Sequence, residues 1–328
     1  MQQRPLSRTG REVSAIGLGT WQLGADWGDV SENDARAVLA ASADAGVTLF
    51  DTADVYGDGR SEQIIGAFLK STDAAGITVA TKMGRREDQV PENYVMENFR
   101  GWLDRSRRLL DTETLDLVQL HCPTDDVYAA DFVFDALDAL VDAGSIAAYG
   151  VSVETCAQAL SAIARPNVAS VQIILNAFRQ KPLDEVLPAA REAGVGIIAR
   201  VPLASGLLSG RYTKQTTFAP DDHRSYNRHG ESFDVGETFA GVDFETGVEA
   251  ADEFALLASR IGANPAQAAL AWIAAQPGVT TVIPGARTPE QARGNARAAD
   301  LRTLPSSFLE GVTALYDERI RPQVHDRW

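Results

Sequence analysis

The chain has 328 residues, of which 45% are hydrophobic and 23% are charged, a balance typical of globular proteins rather than of disordered or fibrous ones. Its formal net charge of −15 creates a negative field that repels nucleic-acid phosphates and anionic lipid headgroups, so we expect neither a nucleic-acid nor a membrane partner. The sequence has no apolar run of about 18 residues, the length that a membrane-spanning helix needs. No apolar segment follows the first basic residue, as it would in a secretory signal peptide, so the sequence predicts a soluble, cytoplasmic protein.

Short, β-branched apolar runs alternate with longer amphipathic segments along most of the chain, which is typical of repeated βα units. Eight strands are predicted, at Ala15–Gly19, Thr48–Asp51, Thr78–Thr81, Leu115–Leu120, Ala147–Val151, Ser170–Leu175, Gly196–Arg200 and Thr280–Ile283. Such a pattern fits either a closed barrel or an open doubly wound sheet. Polar residues that follow several different strands favour the barrel. We therefore predict an α/β fold, a single (β/α)8 TIM barrel that spans residues 1–328.

Cap signals place the helices between these strands. One helix is predicted at Ser31–Ala45, because serine is a favoured N-cap residue and Gly46 can take a left-handed conformation at the end. Another is predicted at Asp131–Ala143 before Gly144. The first strand is not followed by the dinucleotide pattern Gly-x-Gly-x-x-Gly, because Gln22 occupies the place of the third glycine. A tight turn explains these glycines better.

A polar segment at residues 209–248 follows the seventh strand and lacks helical or strand periodicity. Unpatterned loops of this length are usually functional, so we interpret it as a lid over the active end of the barrel. His223 and His229 lie in it and are expected to be exposed, without a metal, because no acidic or cysteine partner has ligand spacing. Cys122 and Cys156 are expected to be buried, because neither has a cysteine partner nearby.

Four polar residues lie near the ends of neighbouring strands: Asp51, Tyr56, Lys82 and His121. In a barrel these positions point into one mouth, so the side chains should meet there. Tyrosine titrates near about 10, and a nearby ammonium stabilises its phenolate and so lowers this pKa. Lys82 is suited to that role, Asp51 to holding Lys82, and a neutral His121 to donating a hydrogen bond to a carbonyl oxygen. Each residue alone has an ordinary structural explanation, but their joint placement predicts acid catalysis.

Several segments of the chain closely resemble the aldo-keto reductase family. They are Gly17-Leu-Gly-Thr-Trp, Phe50-Asp-Thr-Ala-Asp-Val-Tyr-Gly, Glu62-Gln-Ile-Ile-Gly, Ala80-Thr-Lys, Asp116-Leu-Val-Gln-Leu-His and Ile283-Pro-Gly-Ala-Arg. The resemblance implies that NADPH gives hydride to an aldehyde or ketone carbon while Tyr56 protonates the oxygen. The reverse reaction would oxidise an alcohol or a sugar, and the sequence leaves direction and substrate open. A monomer is the default expectation.

The resemblance also implies which residues bind NADP(H), without a separate nucleotide-binding domain. Ser152 and Gln172 would contact the nicotinamide carboxamide, and Arg287 would favour NADP over NAD because a planar guanidinium suits a 2′-phosphate. The full implied set is Gly19, Thr20, Trp21, Asp51, Ser152, Gln172, Arg200, Pro202, Leu203, Ser205, Gly206, Leu207, Gly285, Arg287, Gln291 and Asn295. By the same resemblance Trp21 and Trp27 line the substrate pocket together with Tyr56 and His121.

Two residues depart from the family pattern. Val153 stands where the family usually has asparagine, which removes one amide contact to the carboxamide. Arg200 stands where an aromatic residue commonly stacks on the nicotinamide, although a guanidinium can also stack on a flat ring. The family includes channel-associated subunits that bind cofactor and turn over slowly, so a regulatory, redox-sensing binding protein is the alternative function.

Overall fold

A computed structural model describes residues 1–24, 30–72, 76–301 and 303–328. A short antiparallel hairpin, β1 (Gln3–Pro5) and β2 (Glu12–Ser14), precedes eight parallel strands that pair in chain order. These strands are β3 (Leu18–Gly19), β4 (Leu49–Asp51), β5 (Thr78–Met83), β6 (Leu117–His121), β7 (Tyr149–Ser152), β8 (Ser170–Ile174), β9 (Gly196–Arg200) and β10 (Val279–Val282).

Backbone hydrogen bonds between β10 and the segment at residues 15–17, directly before β3, close the sheet into a barrel. The amide of Gly17 donates to the carbonyl of Val282 at 2.8 Å, and the amide of Val282 donates to the carbonyl of Ala15 at 3.1 Å. Parallel bridges also join Ile16 to Val282 and Gly19 to Gly285. The predicted (β/α)8 barrel is therefore confirmed. The first strand is shorter than predicted because residues 15–17 make isolated contacts with β10 instead of pairing continuously.

Helices surround the barrel. They are α1 (Glu32–Asp44), α2 (Arg60–Ser71), α3 (Met96–Leu110), α4 (Asp125–Ala129), α5 (Asp131–Asp142), α6 (Cys156–Ile163), α7 (Val186–Ala193), α8 (His223–Tyr226), α9 (Phe244–Arg260), α10 (Pro265–Ala274), α11 (Pro289–Ala296), α12 (Ser306–Leu315) and α13 (Arg321–Val324). The predicted caps are confirmed in α1, where the Ser31 side chain accepts from the amide of Asp34, and after α5, where Gly144 has φ +70°.

The predicted loop at residues 209–248 is wrong at its C-terminal boundary, because α9 already begins at Phe244. The Asp243 side chain caps this helix by accepting from the amide of Thr246 at 3.0 Å. Within the loop, α8 and two short 3-10 helices, Val235–Glu237 and Phe239–Gly241, provide local structure that the absence of periodicity did not indicate.

The β1–β2 hairpin closes the N-terminal end of the barrel. Leu6 and Val13, both fully buried, join a small apolar cluster of residues that lie in or next to the barrel strands. The other members of this cluster are Leu49, Ala80, Leu117, Ala148, Ala169, Ile198 and Ile283. The hairpin thus fills the space below the barrel interior, and the open end of the barrel is the C-terminal one.

We expect Leu6→Ala to lower the free energy of unfolding by about 2–5 kcal/mol, because the truncation leaves a cavity among buried side chains. Equilibrium urea denaturation measures the change. Leu256→Ala is the matched control, since Leu256 is 62% exposed and its truncation should change stability little. Similar losses for the two variants would contradict a closing role for Leu6.

Candidate active site

A cavity of about 1020 Å³ opens at the C-terminal end of the barrel. Its wall includes the last residue of five barrel strands, namely Gly19, Asp51, His121, Ser152 and Arg200. The loop between β9 and α9 also contributes to the wall, as do residues around the N-terminal end of α11. Residues from distant parts of the sequence therefore line one open cavity.

A buried ion pair lies beneath this cavity. The ammonium of Lys82, 1% exposed, is 2.5 Å from Oδ1 of Asp51 and 3.3 Å from the hydroxyl of Tyr56. It also donates to the carbonyl of Thr52 at 2.9 Å. The predicted association of Asp51, Lys82 and Tyr56 is thus present in the structure, and the ammonium directly links the carboxylate to the phenol.

Burial and charge act in opposite directions on the two proton-carrying groups. Burial raises the pKa of Tyr56, and the positive charge of Lys82 opposes the rise without cancelling it. We predicted a lowered pKa from Lys82 alone, so the net direction differs because desolvation is the larger effect. Burial lowers the pKa of Lys82, but the neighbouring Asp51 and Tyr56 outweigh it, so the net pKa lies above the usual value. At neutral pH the phenol is protonated and the amine is charged.

His121 is neutral in this environment. Burial lowers its pKa well below the usual value, and the charges of Arg85, Lys82 and Arg200 lower it further. Its ring lies edge-on to the Tyr56 ring, with centroids 6.0 Å apart. Its Nδ1 has no hydrogen-bond partner among the described residues. A neutral imidazole beside a protonated phenol is a pair suited to contacting one carbonyl oxygen.

The backbone around Tyr56 is tightly turned. Gly57 has φ +57°, in the left-handed region that favours glycine, and an added Cβ there would overlap the carbonyl oxygen of Gly24. Asp58 follows with φ +51° although it is not a glycine. This turn brings the phenol from the end of β4 back over the barrel mouth, toward Lys82.

Two glutamines complete the surroundings of Asp51. The side-chain amide of Gln172 donates to Oδ2 of Asp51 at 2.7 Å, and that of Gln119 donates to the same oxygen at 3.3 Å. Gln119 was missed by the sequence analysis, because a polar residue within a buried strand gives no signal of what it contacts. Both Asp51 oxygens thus have polar partners, as a buried carboxylate requires.

Arg200 lies in a second group of buried charges. It donates to Oε2 of Glu154 at 2.9 Å, pairs with Glu237 from the loop, and donates to the carbonyl of Val153 at 2.9 Å. Burial lowers the pKa of Arg200, but these two carboxylates raise it well above its usual value, so the guanidinium stays charged. Neither glutamate was predicted. The unusual pair Val153 and Arg200 is therefore joined directly.

Nearly all residues of the implied cofactor set line the cavity. They are Gly19, Thr20, Trp21, Asp51, Ser152, Gln172, Arg200, Pro202, Leu203, Ser205, Gly206, Gly285, Arg287, Gln291 and Asn295. Leu207 instead lies in the core, fully buried. Near the outer rim, the amide of Arg287 donates to Oε1 of Gln291, and the Asn295 amide donates to the carbonyl of Gly285. No hydrogen bond joins the Arg287 guanidinium to any described residue.

Trp21 forms an aromatic wall with two residues of the loop. Its ring lies 6.2 Å from Tyr56, 5.3 Å from His223 and 6.1 Å from Phe233, measured between centroids. The expectation that His223 is exposed is wrong, because the residue is 1% exposed in this cluster. His229 is exposed as predicted. Trp27, the other implied pocket residue, lies outside the described residues.

Neither of the two cysteines forms a disulfide. Cys122 and Cys156 are both buried and unpaired, as predicted. Burial raises the pKa of Cys122 to about 12, so the thiol is protonated at neutral pH. Among the residues that the structure describes, no group of three or more potential ligand side chains is arranged to hold a metal ion.

The model of the Aldo/keto reductase family matches residues 15–317. The chain belongs to the aldo/keto reductase family. It is similar to the aldo-keto reductase YhdN of Bacillus subtilis (30% identity, 89% of this chain and 86% of the relative) and to a probable voltage-gated potassium channel subunit beta of Oryza sativa (31%, 92% of each). The solved glycerol dehydrogenase of Gluconobacter oxydans has a TM-score of 0.80 and 28% identity, over 99% of this aldo/keto reductase and 97% of that chain.

None of the described helices has the length and apolar composition needed to cross a bilayer.

We expect Lys82→Met to lower the free energy of unfolding by about 3–5 kcal/mol, because Asp51 is then a buried charge without a counter-charge. Lys70→Met is the matched control. Lys70 is also 2.5 Å from an aspartate, Asp111, but 74% of its side chain is exposed, so solvent screens the pair and the loss should be small. Urea denaturation compares the two variants. Equal losses would contradict the assignment of Lys82 as the essential counter-charge of Asp51.

Proposed function

We propose that this protein is an NADPH-dependent oxidoreductase that reduces an aldehyde or ketone, with Tyr56 as the proton donor. The observation that carries the proposal is the contact of a protonated Tyr56 with the buried Lys82–Asp51 pair, beside a neutral His121 at the same cavity. NADPH supplies the hydride that reaches the carbonyl carbon when it is bound.

Proton transfer follows from the charges around Tyr56. As hydride adds to the carbonyl carbon, negative charge develops on the oxygen, and the phenol gives its proton to that oxygen. The phenolate left behind is stabilised by the ammonium of Lys82, 3.3 Å away. Asp51 keeps Lys82 charged and in place. Proton uptake from solvent then restores the phenol, so no residue is consumed in the cycle.

His121 supports the same oxygen as a hydrogen-bond donor. Its lowered pKa keeps the ring neutral, so one ring nitrogen carries a hydrogen that can be donated. A donor placed before the reaction stabilises the developing negative charge without reorganisation. We therefore assign Tyr56 to proton donation and His121 to orientation of the substrate carbonyl.

The cavity has the size and charge for a dinucleotide. Its volume of about 1020 Å³ lies at the upper end of the range for small-molecule sites. Five arginines line it, against three acidic residues, although the chain as a whole is strongly acidic; the arginines are Arg85, Arg200, Arg211, Arg224 and Arg287. Arg200, Arg224 and Arg85 lie beside carboxylates, so the positive charge that supports the binding of an anionic cofactor is that of Arg211 and Arg287, which form no ion pair with described residues.

Residues at the two ends of the cavity have separate roles in this proposal. Ser152 and Gln172 would hold the nicotinamide carboxamide, and Arg200, fixed by Glu154 and Glu237, would present a flat guanidinium to the ring. At the rim, the guanidinium of Arg287, not engaged by described residues, would bind the 2′-phosphate.

The alternative is a cofactor-binding regulatory subunit with little turnover. The similarity to a probable voltage-gated potassium channel subunit beta of Oryza sativa is the observation that raises it. NADPH oxidation with a panel of aldehydes, ketones and sugars separates the two functions. Turnover supports the reductase, whereas tight NADPH binding without turnover on any member of the panel supports the regulatory subunit.

We expect Tyr56→Phe to lower kcat by about 100-fold to 10,000-fold, because the ring stays and its proton is lost. NADPH affinity, measured by quenching of protein fluorescence, should change little. Tyr226→Phe is the control, since Tyr226 is exposed and lies outside the cavity wall. A Tyr56→Phe enzyme with nearly the parent kcat would refute proton donation by this residue.

We expect Arg287→Ala to lower the preference for NADPH over NADH by about 10-fold to 100-fold, the value of a charged hydrogen bond to phosphate. The dissociation constants of both cofactors are measured for each variant. Arg293→Ala serves as the control, because Arg293 is an exposed arginine of α11 outside the cavity wall. An unchanged ratio in Arg287→Ala would show that another group recognises the phosphate.

A further inference from the structure

Two arginines from separate elements bind the turn that carries Tyr56. The turn spans residues 54–58: the amide of Asp58 donates to the carbonyl of Val55 within it, and the amide of Tyr56 donates to the carbonyl of Ala53 just before it, both at 3.1 Å. The left-handed φ values at Gly57 and Asp58 are conformations that most residues avoid. Such a turn needs external contacts to remain in one geometry.

Arg86, which follows β5, contacts both ends of the turn. Its Nε donates to Oδ2 of Asp54 at 3.1 Å, and its Nη2 donates to the carbonyl of Asp54. Its Nη1 donates to Oδ1 of Asp58 at 3.0 Å. One rigid guanidinium thus spans the residues two before and two after Tyr56.

Arg105, on α3, repeats this pattern from another direction. Its Nη1 donates to the carbonyl of Asp54 at 3.1 Å, and its Nη2 donates to the carbonyl of Asp58 at 2.5 Å and to the carboxylate of Asp58 at 2.9 Å. The Asp58 carboxylate is 82% exposed, so its ion pairs contribute little by themselves. The carbonyl contacts are different, because they fix the backbone on both sides of the phenol.

The carboxylate of Asp54 is fully buried within this group. Its Oδ1 has no hydrogen-bond partner among the described residues, and the same holds for Oε2 of Glu62 on α2. The pKa of Asp54 is raised to about 7, and burial is the largest cause. The positive charges of Arg86 and Arg105 oppose the rise, while the negative charge of Glu62 adds to it. Asp58 and Tyr94 are the other titratable groups that interact with these residues. Asp54 therefore changes charge near neutral pH.

We propose that Arg86, Arg105 and Asp54 are positioning residues that hold Tyr56 in its reactive geometry, and that ionisation of Asp54 strengthens this hold by completing the ion pair with Arg86. They act through the turn, whose start is joined to β5 by the Asp54 amide donating to the carbonyl of Lys82 at 3.1 Å, and none of the three lines the cavity. Their loss should therefore affect turnover more than ligand binding. This inference rests on the proposed function, because it assumes that Tyr56 gives a proton.

The first test separates kcat from binding. Arg86→Ala should lower kcat by about 100-fold, the cost of misplacing a reacting group by about 1 Å, with KM and NADPH affinity within a few-fold of the parent. Arg86→Lys keeps the positive charge but not the several N–H donors of the planar guanidinium, so its kcat should lie between those of Arg86→Ala and the parent. Arg108→Ala, an exposed arginine on α3, should behave as the parent.

The outcomes of this test are distinguishable. Parent kcat in Arg86→Ala, or kcat and NADPH affinity that fall together, overturns the inference and leaves the proposed function intact. Absence of turnover in the parent protein overturns both. If Arg86→Ala does not fold, Arg86→Lys and Arg105→Lys decide, and parent kcat in both overturns the inference.

The second test is the pH dependence of kcat. Because Asp54 ionises near pH 7, kcat should rise with pH through an inflection there, and Asp54→Asn should abolish it. The pKa of His121 lies well below its usual value and that of Tyr56 lies above, so neither explains an inflection near 7. In the control Glu62→Gln the inflection should persist but move to lower pH. The negative charge of Glu62 raises the pKa of Asp54, so its removal lowers that pKa. An inflection that is missing in the parent, persists in Asp54→Asn or vanishes in Glu62→Gln overturns the role of Asp54.

Discussion

The ion pair of Lys82 and Asp51 is the constraint to which the rest of the site conforms. Both charges are almost fully removed from water, and a charge in that position is tolerated when its polar atoms are all engaged. Thr52 and Tyr56 satisfy the ammonium, while Gln172 and Gln119 satisfy the carboxylate. Residues from β4, β5, β6 and β8 are thereby committed to one small volume, which the closed barrel makes available.

The same constraint explains the properties of Tyr56. Its phenol contacts the ammonium and also lines the cavity, so it lies between a buried positive charge and the cavity. The ammonium favours the phenolate, while burial favours the phenol. A group held between these two effects is protonated at rest and becomes a tolerable anion once its proton has left.

Much of this arrangement could be predicted from the sequence, because strand ends of a parallel barrel converge. That geometry was sufficient to bring Asp51, Tyr56 and Lys82 together. The direction of the Tyr56 pKa shift could not be predicted, since the sequence shows the nearby charge and not the depth of burial. Glu237 and His223 could not be found either, because their loop has no periodicity and its path depends on tertiary contacts. The β1–β2 hairpin was missed for a similar reason, since strands of three residues carry little pattern.

The hairpin has a further consequence, for how the molecule can change over evolutionary time. Of the nine residues in its apolar cluster, Ile283 alone also lines the cavity, so the cluster and the cavity wall are formed by largely separate groups of residues. Loops around the cavity can then be lengthened, shortened or exchanged without disturbing the closed base. A scaffold divided in this way tolerates innovation, because loops around the cavity can be replaced while the buried Lys82–Asp51 pair and the hairpin at the other end of the barrel remain unchanged.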